Sequence, residues 1–178
     1  MPTKPRPLDL EGLMNYAARA LSARAQSSSE LRARLKQRAA DPADVDRVLA
    51  RLKDAGLLND QRFAASFTDW RKENQGFGKA RVMRDLMSRR VAPALAQKTV
   101  DAAYAGADET AMIEDFLKRK YRGKNLRELL AEEKHLASAF RKLRAAGFSA
   151  GASIRTLKRY AASAESAEGL DEIEESSE

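Results

Sequence analysis

The stretch SSSELRARLKQRAADPADVDRVL, Ser27–Leu49, has a counterpart in GKARVMRDLMSRRVAPALAQKTV, Gly78–Val100, a constant 51 positions further along. Leu31, Leu35, Pro42 and Leu49 fall on Val82, Leu86, Pro93 and Val100. Apolar residues four apart share one face of a helix. A proline suits the first turn of the segment that follows, where its missing N–H is no loss. A helix, a short connection and a proline-led helix therefore occur twice. Ser27, three residues before Glu30, offers a capping box to the first copy; the second copy has Gly78 in that place.

Working outward, NDQRFAASFTDWRKENQ, Asn59–Gln75, reads as the helix ahead of the second copy. Asn59 or Asp60 is its N-cap, and Phe63, Phe67 and Trp70 form its apolar stripe, with Trp70 read as core. In the next helix Val82, Met83, Leu86 and Met87 face inward while Arg81, Arg84 and Arg89 lie opposite. Leu95, Thr99, Val100 and Ala103 then share a face. Gly56 closes the first proline-led helix, with Leu57 and Leu52 at the two positions that touch in a Schellman cap. KLRAAGF, Lys142–Phe148, repeats that ending: Gly147 is the left-handed residue and Phe148 folds back on Leu143.

A third round is less regular. Met112, Phe116, Leu117 and Tyr121 mark its first helix, RGKN (Arg122–Asn125) a connection, Leu136, Phe140 and Leu143 its second helix, and Ile154 with Leu157 its last. The expected fold is all-α, an elongated array of three tandem three-helix repeats at residues 9–57, 58–106 and 107–162. A flexible N-terminus, 1–8, precedes them and an acidic disordered tail, 163–178, follows. Units this small bury too little surface alone and lean on their neighbours.

Composition points the same way, since helix-favouring residues dominate and only 6% of the chain is aromatic. The net charge is +7, yet ESAEGLDEIEESSE, residues 165–178, holds seven acids and no base, which leaves +14 on residues 1–164. A basic body of this kind suits a polyanion or an acidic protein surface, although individual cations are equally explained as solvation of helices. There is no cysteine. No apolar run approaches the ~20 residues that a bilayer requires, and MPTKPRPLDL lacks the apolar segment of a secretory signal. A soluble, cytoplasmic chain without a membrane partner is expected.

Residues for catalysis are scarce. His135 is the only histidine and has no cysteine or second histidine with which to share a metal. Acids sit at helical spacing from bases, as Arg81 does from Asp85, an arrangement that supports helices weakly and asks for no catalytic explanation. No enzymatic activity, cofactor or metal is expected. NQGFGKAR, Asn74–Arg81, invites comparison with a phosphate loop, but G-x-x-x-x-G-K must be followed by Ser or Thr and preceded by a strand. Here Ala80 follows Lys79, Gly76 stands too close to Gly78, and the preceding segment is helical. The glycines are read as a hinge between helices, and the helix start with Lys79 as a possible contact for nucleic-acid phosphate.

LKDAGLLNDQRFAASFTDWRKENQGFGKARVMRDLMSRRV, Leu52–Val91, resembles the RecX family of regulatory proteins, which act on the RecA recombinase. The resemblance is carried by the run Gly56–Ala64, by Arg71 and the glycine-bearing turn, and by the pattern Arg81–Leu86. Ser27–Leu35 and Gly147–Ser149 match as well, and the likeness extends over residues 12–162. It implies tandem three-helix units, binding along the groove of the RecA–DNA filament, and inhibition of the RecA ATPase and strand exchange without catalysis of its own. The chain departs from the family where a glycine usually follows the short helix: Ala39 and Arg90 stand there.

Candidate contacts to the filament and to DNA phosphates are Arg71, Lys72, Lys79, Arg81, Arg84, Arg89 and Arg90 in the second repeat, and Arg32, Arg34, Lys36 and Arg38 in the first. Gly56, Asn59, Asp60, Arg62, Phe63, Gly76 and Gly78 are signature residues with a structural task, capping helices and packing the junctions between repeats. KRKYRGK, Lys118–Lys124, adds a basic patch with Tyr121 interleaved. A monomer is expected. The competing reading is a basic helical protein that binds DNA directly.

Overall fold

The computed structural model describes residues 6–161, so the acidic tail and the first five residues lie outside the described residues. Ten helices run in order: α1 Leu10–Ala23, α2 Ser28–Lys36, α3 Pro42–Asp54, α4 Asp60–Glu73, α5 Lys79–Ser88, α6 Pro93–Tyr104, α7 Glu109–Lys120, α8 Leu126–Ala131, α9 Glu133–Ala145 and α10 Ala150–Lys158. Among the described residues there is no strand, only a single bridge between Leu8 and Ala39. The starts of α2 and α5, and those of α3 and α6, keep the 51-residue spacing of the sequence. Packing divides the chain into two compact units. Among the described residues the first takes 6–68 with Asp85–Thr99, and the second takes Asp69–Arg84 with 100–161. The three helices of the second repeat therefore each contribute to both units.

The core of the first unit is built from Leu13 and Ala17 of α1, Leu31 and Leu35 of α2, and Val45, Val48, Leu49 and Leu52 of α3. Polar residues start each helix. Asp9 accepts a hydrogen bond from Gly12 N, Ser27 Oγ from Glu30 N at 3.0 Å, and Asp41 from Ala43 N. The Glu30 carboxylate does not return to Ser27; it is turned instead to Arg24 and, at 3.4 Å, to Arg89. Gly56, at φ 67°, closes α3 as a Schellman turn, with Gly56 N bonded to Lys53 O and Leu57 N to Leu52 O, both at 2.9 Å. The leucine contact falls one residue later than the sequence suggests, since Leu57 is 60% exposed while Leu58 is 3% exposed. Leu58 N also bonds to Leu52 O, at 3.1 Å. This extra bond prolongs the turn and drops the second leucine onto the core.

The signature residues cap and join. Asn59 Oδ1 accepts from Arg62 N at 2.9 Å and so caps α4, and Arg62 Nη2 reaches back to Gly56 O at 2.9 Å. Asp60 serves another helix, its Oδ1 accepting from Ser28 N at 2.6 Å at the start of α2. Phe63 is buried and lies 5.7 Å from Phe67, ring to ring.

The two helix ends without glycine are solved differently. At Ala39 the N-terminal segment closes α2, with Leu8 N bonded to Arg38 O at 2.6 Å and Ala40 N to Leu8 O at 2.8 Å. Leu8, the last residue of the segment read as flexible, is thus held by backbone bonds on both sides. At the end of α5, Arg90 itself takes the left-handed conformation, φ 58°, and completes the glycine-type turn through Arg90 N to Met87 O and Val91 N to Leu86 O. Holding an L-residue there costs about 1 kcal/mol, and the Arg90 side chain is exposed. Arg90→Gly is therefore expected to raise the midpoint of thermal unfolding by about 2–4 °C. An unchanged or lower midpoint would mean that the arginine side chain offsets the strain.

The second unit packs Ile113 and Leu117 of α7, Leu130 of α8, Leu136, Phe140 and Leu143 of α9, and Leu157 of α10. α8 is an addition to the three-helix pattern read from the sequence. It spans six residues, too short for its spacing to show, yet Asn125 caps it and Leu130 is fully buried. The glycine turn after α9 is as the sequence indicates, with Gly147 at φ 92°, Phe148 N bonded to Leu143 O, and Phe148 1% exposed. Its ring meets Phe116 edge-on at 5.6 Å.

NQGFGKAR lies in this unit, and its geometry replaces the hinge with a tight junction. Gly76, at φ 64°, turns the chain out of α4. Gly78 then passes against the turn at the end of α9: Gly78 N donates to Ala146 O at 2.9 Å and Ala80 N to Gly147 O at 3.2 Å. A Cβ on Gly78 would lie 2.4 Å from Gly147 O, and one on Gly147 would lie 2.2 Å from Arg81 N. The amides that opened the phosphate question are thus occupied by carbonyls of the same chain. The first unit makes the corresponding contact with a side chain, as Ser27 Oγ donates to Arg89 O, at the end of α5, at 2.6 Å. In the first unit the start of α2 meets the end of α5, and in the second the start of α5 meets the end of α9, each time positive dipole end to negative.

Candidate functional site

Most of the cations expected to face a partner are held by the protein itself. In the first unit Arg32 pairs with Asp46, Arg34 Nη1 donates to Gln26 Oε1 at 2.8 Å, and Arg38 lies 4.8 Å above the Tyr16 ring. Arg89 reaches Glu30 and lies 5.8 Å from the Phe67 ring. Lys36 and Arg90 are exposed and make no ion pair among the described residues. Their charge is the most available of the set.

In the second unit Arg71 bonds to Gln75 and its guanidinium lies 5.5 Å from the Phe77 ring. Lys72 Nζ donates to Ala103 O at 2.6 Å, and Lys79 pairs with Asp101 at 2.6 Å. Arg81 and Arg84 meet at one acceptor, Ala145 O, each at 3.4 Å. Their shared helix face is therefore used to neutralise the carbonyl end of α9, as cations do at a helix C-terminus. The sequence shows the face; it does not show the helix end lying against it. Arg119, within the basic run that ends α7, behaves alike, its Nη1 lying 3.5 Å from Glu73 O and Asn74 O at the end of α4.

Trp70 is not core: it is 50% exposed. The buried residues of α4 are Phe63, Ala64 and Thr68. Phe63, nearly in line with Trp70, is buried about two turns earlier; at 100° per residue Ala64 and Thr68 define a face roughly 120–160° around the helix from Trp70. Polar Thr68 hides that face from a reading by hydrophobic spacing.

Tyr104 is a functional-looking residue that the sequence did not flag. Its hydroxyl donates to Phe77 O at 2.7 Å, and burial pushes its pKa up to about 12. A tyrosine in the unfolded chain ionises from about pH 10. The stability owed to Tyr104 is thus intact below pH 10 and lost as the pH rises towards 12. Tyr104→Phe is expected to be less stable at pH 7 by about 1 kcal/mol, and to lose less stability than the parent between pH 10 and 12 in denaturant titrations. An equal alkaline loss in both proteins would remove Tyr104 as its source.

His135 lies 3.3 Å from Glu132 through Nδ1. No group of three His, Cys, Asp or Glu side chains among the described residues is placed to hold a metal ion. No described helix is long and apolar enough to cross a membrane.

Comparison with known proteins bears on these helices directly. The family model described as RecX, first three-helix domain, matches residues 14–52, spanning α1 to α3, and the model of the second three-helix domain matches residues 59–100, spanning α4 to α6. The chain belongs to the RecX family. The Regulatory protein RecX of Deinococcus radiodurans is 34% identical over 116 residues, which make up 65% of this chain and 55% of that protein. The Regulatory protein RecX of Pseudomonas fluorescens strain SBW25 is 33% identical over 105 residues, 58% of this chain and 64% of the relative. The match thus spans between half and two-thirds of the length of these relatives.

Two solved structures share the fold. RecX from Lactobacillus salivarius superposes with a TM-score of 0.63 at 16% identity, covering 85% of this chain and 96% of that one. A second crystal structure, of the regulatory protein RecX, gives 0.65 at 16% identity, covering 84% of this chain and 73% of the other. The RecX fold is thereby extended beyond the two matched domains, into the helices from α7 onward.

Proposed function

We propose that this RecX chain is a non-enzymatic cytoplasmic regulator that binds the RecA filament on DNA as a monomer and inhibits its ATPase and strand exchange. The observation that carries the reading is the consecutive match of the first and second RecX three-helix domains over α1 to α6. Repeats at 9–57, 58–106 and 107–162 would each supply modest contacts to neighbouring protomers. Several weak contacts on one chain add up to tight binding, and bridging protomers restrains the motion between them that ATP turnover requires. The strong positive charge of residues 1–164 suits the phosphate-rich filament.

The test is ATP hydrolysis by RecA on single-stranded DNA, and inhibition at stoichiometric amounts of this protein is expected; full activity would sink the proposal. Lys36→Glu combined with Arg90→Gln is expected to weaken inhibition without a loss of helical circular dichroism, because neither side chain is tied into the fold. Arg81→Glu or Arg84→Glu is less diagnostic, since a carboxylate there would repel the Ala145 carbonyl and loosen the second unit. Direct binding to DNA is the second reading, favoured by the exposed run at the end of α7. Salt-sensitive binding to naked DNA without RecA would support it.

A further inference from the structure

Trp70 is the chain's only tryptophan, and half of it is exposed. The Arg71 guanidinium lies 5.7 Å from its ring centroid. The helix that carries Trp70 ends against the basic end of α7, since Arg119 Nη1 lies 3.5 Å from Glu73 O and Asn74 O. That contact places the Arg119 guanidinium, at the head of the segment Lys120–Lys124, about one helical turn from Trp70 along α4. Lys120, Arg122 and Lys124 of the run are exposed and make no ion pair among the described residues, while Lys118 reaches Asp115 at 3.5 Å. Asp69 and Glu73 are the acids that flank Trp70 in the chain. The cations of α7 outnumber them.

A large apolar ring left in water on a helix whose end is met by Arg119, the start of an exposed basic segment, is matched by a polyanion that carries flat apolar groups. We propose that Trp70 is a stacking platform for the bases of single-stranded nucleic acid, whose phosphates are met by Lys120, Arg122 and Lys124. A duplex keeps its bases stacked on one another and offers the indole no free face, whereas an unpaired strand offers one at every nucleotide. The site would act on free single strands and needs no RecA.

Because Trp70 is the only tryptophan, its fluorescence reports the contact directly. The probes are a short oligothymidylate, a duplex of the same length and inorganic polyphosphate, each titrated into the full chain at low and moderate salt. Quenching by the oligothymidylate, with little from the duplex or polyphosphate, is the expected result. Trp70→Ala should bind a labelled oligothymidylate about tenfold more weakly by anisotropy, and Trp70→Phe should keep most of the affinity. Three results would each overturn the site: no quenching at saturation, equal quenching by polyphosphate or duplex, or parental affinity in Trp70→Ala. The exposed position of Trp70 leaves both variants folded, which circular dichroism verifies. Failure here would leave filament regulation standing, because no RecA is present in the assay.

Discussion

Gly147→Ala is expected to lower the midpoint of thermal unfolding by about 10 °C. Two costs add. A side chain at φ 92° is strained, which costs about 1 kcal/mol. The new Cβ would also lie 2.2 Å from Arg81 N and 2.5 Å from Arg81 Cβ. The first of these is backbone at the start of α5 and has no rotamer by which to retreat, so overpacking adds about 2–3 kcal/mol. For a protein of this size each kcal/mol moves the midpoint by about 2–4 °C.

Gly106→Ala and Gly123→Ala provide the control, since both residues have positive φ, 70° and 81°, and open space where the Cβ would go. They are expected to lose only the strain energy. If Gly147→Ala loses no more than they do, the backbone approach is wrong. Gly78→Ala, which carries the clash with Gly147 O without the positive φ, should fall between the two.

The second large effect distinguishes neighbouring leucines. Leu58→Ala is expected to destabilise by about 2–4 kcal/mol and Leu57→Ala by less than about 0.5 kcal/mol. Leu58 is 3% exposed and belongs to the same buried cluster as Leu52 and Val48, so truncation leaves a cavity; Leu57 is 60% exposed and loses little burial. Urea unfolding of the two variants gives the comparison. Equal losses would return Leu57 to the role that spacing after a glycine assigns it.

Much of the fold was legible because helix signals are local. Ser27 accepts from the amide of Glu30, Asn59 from that of Arg62, and Gly56 and Gly147 turn left-handed where an apolar run stops. The repeat was visible because α2 and α5 bury the same register, Leu31 and Leu35 against Val82 and Leu86. Less of the candidate site was legible. A row of arginines on one helix face looks alike whether it meets solvent, a partner or the carbonyl end of another helix. Arg81 and Arg84 turned out to share Ala145 O. α8 escaped notice because six residues hold too few turns to establish a period.

By itself, then, the sequence determined that this protein is helical, where the helices α2 to α6 begin, where Gly56 and Gly147 close α3 and α9, and that its first two repeats are copies. Those properties follow from neighbours within one or two turns. Only the tertiary structure decided what NQGFGKAR is for, that Trp70 stands in solvent, and which cations are already engaged. Each depends on backbone and side chains meeting across long separations, as Gly78 meets Gly147. A glycine that must admit another main chain is spelled no differently from one that only needs to turn.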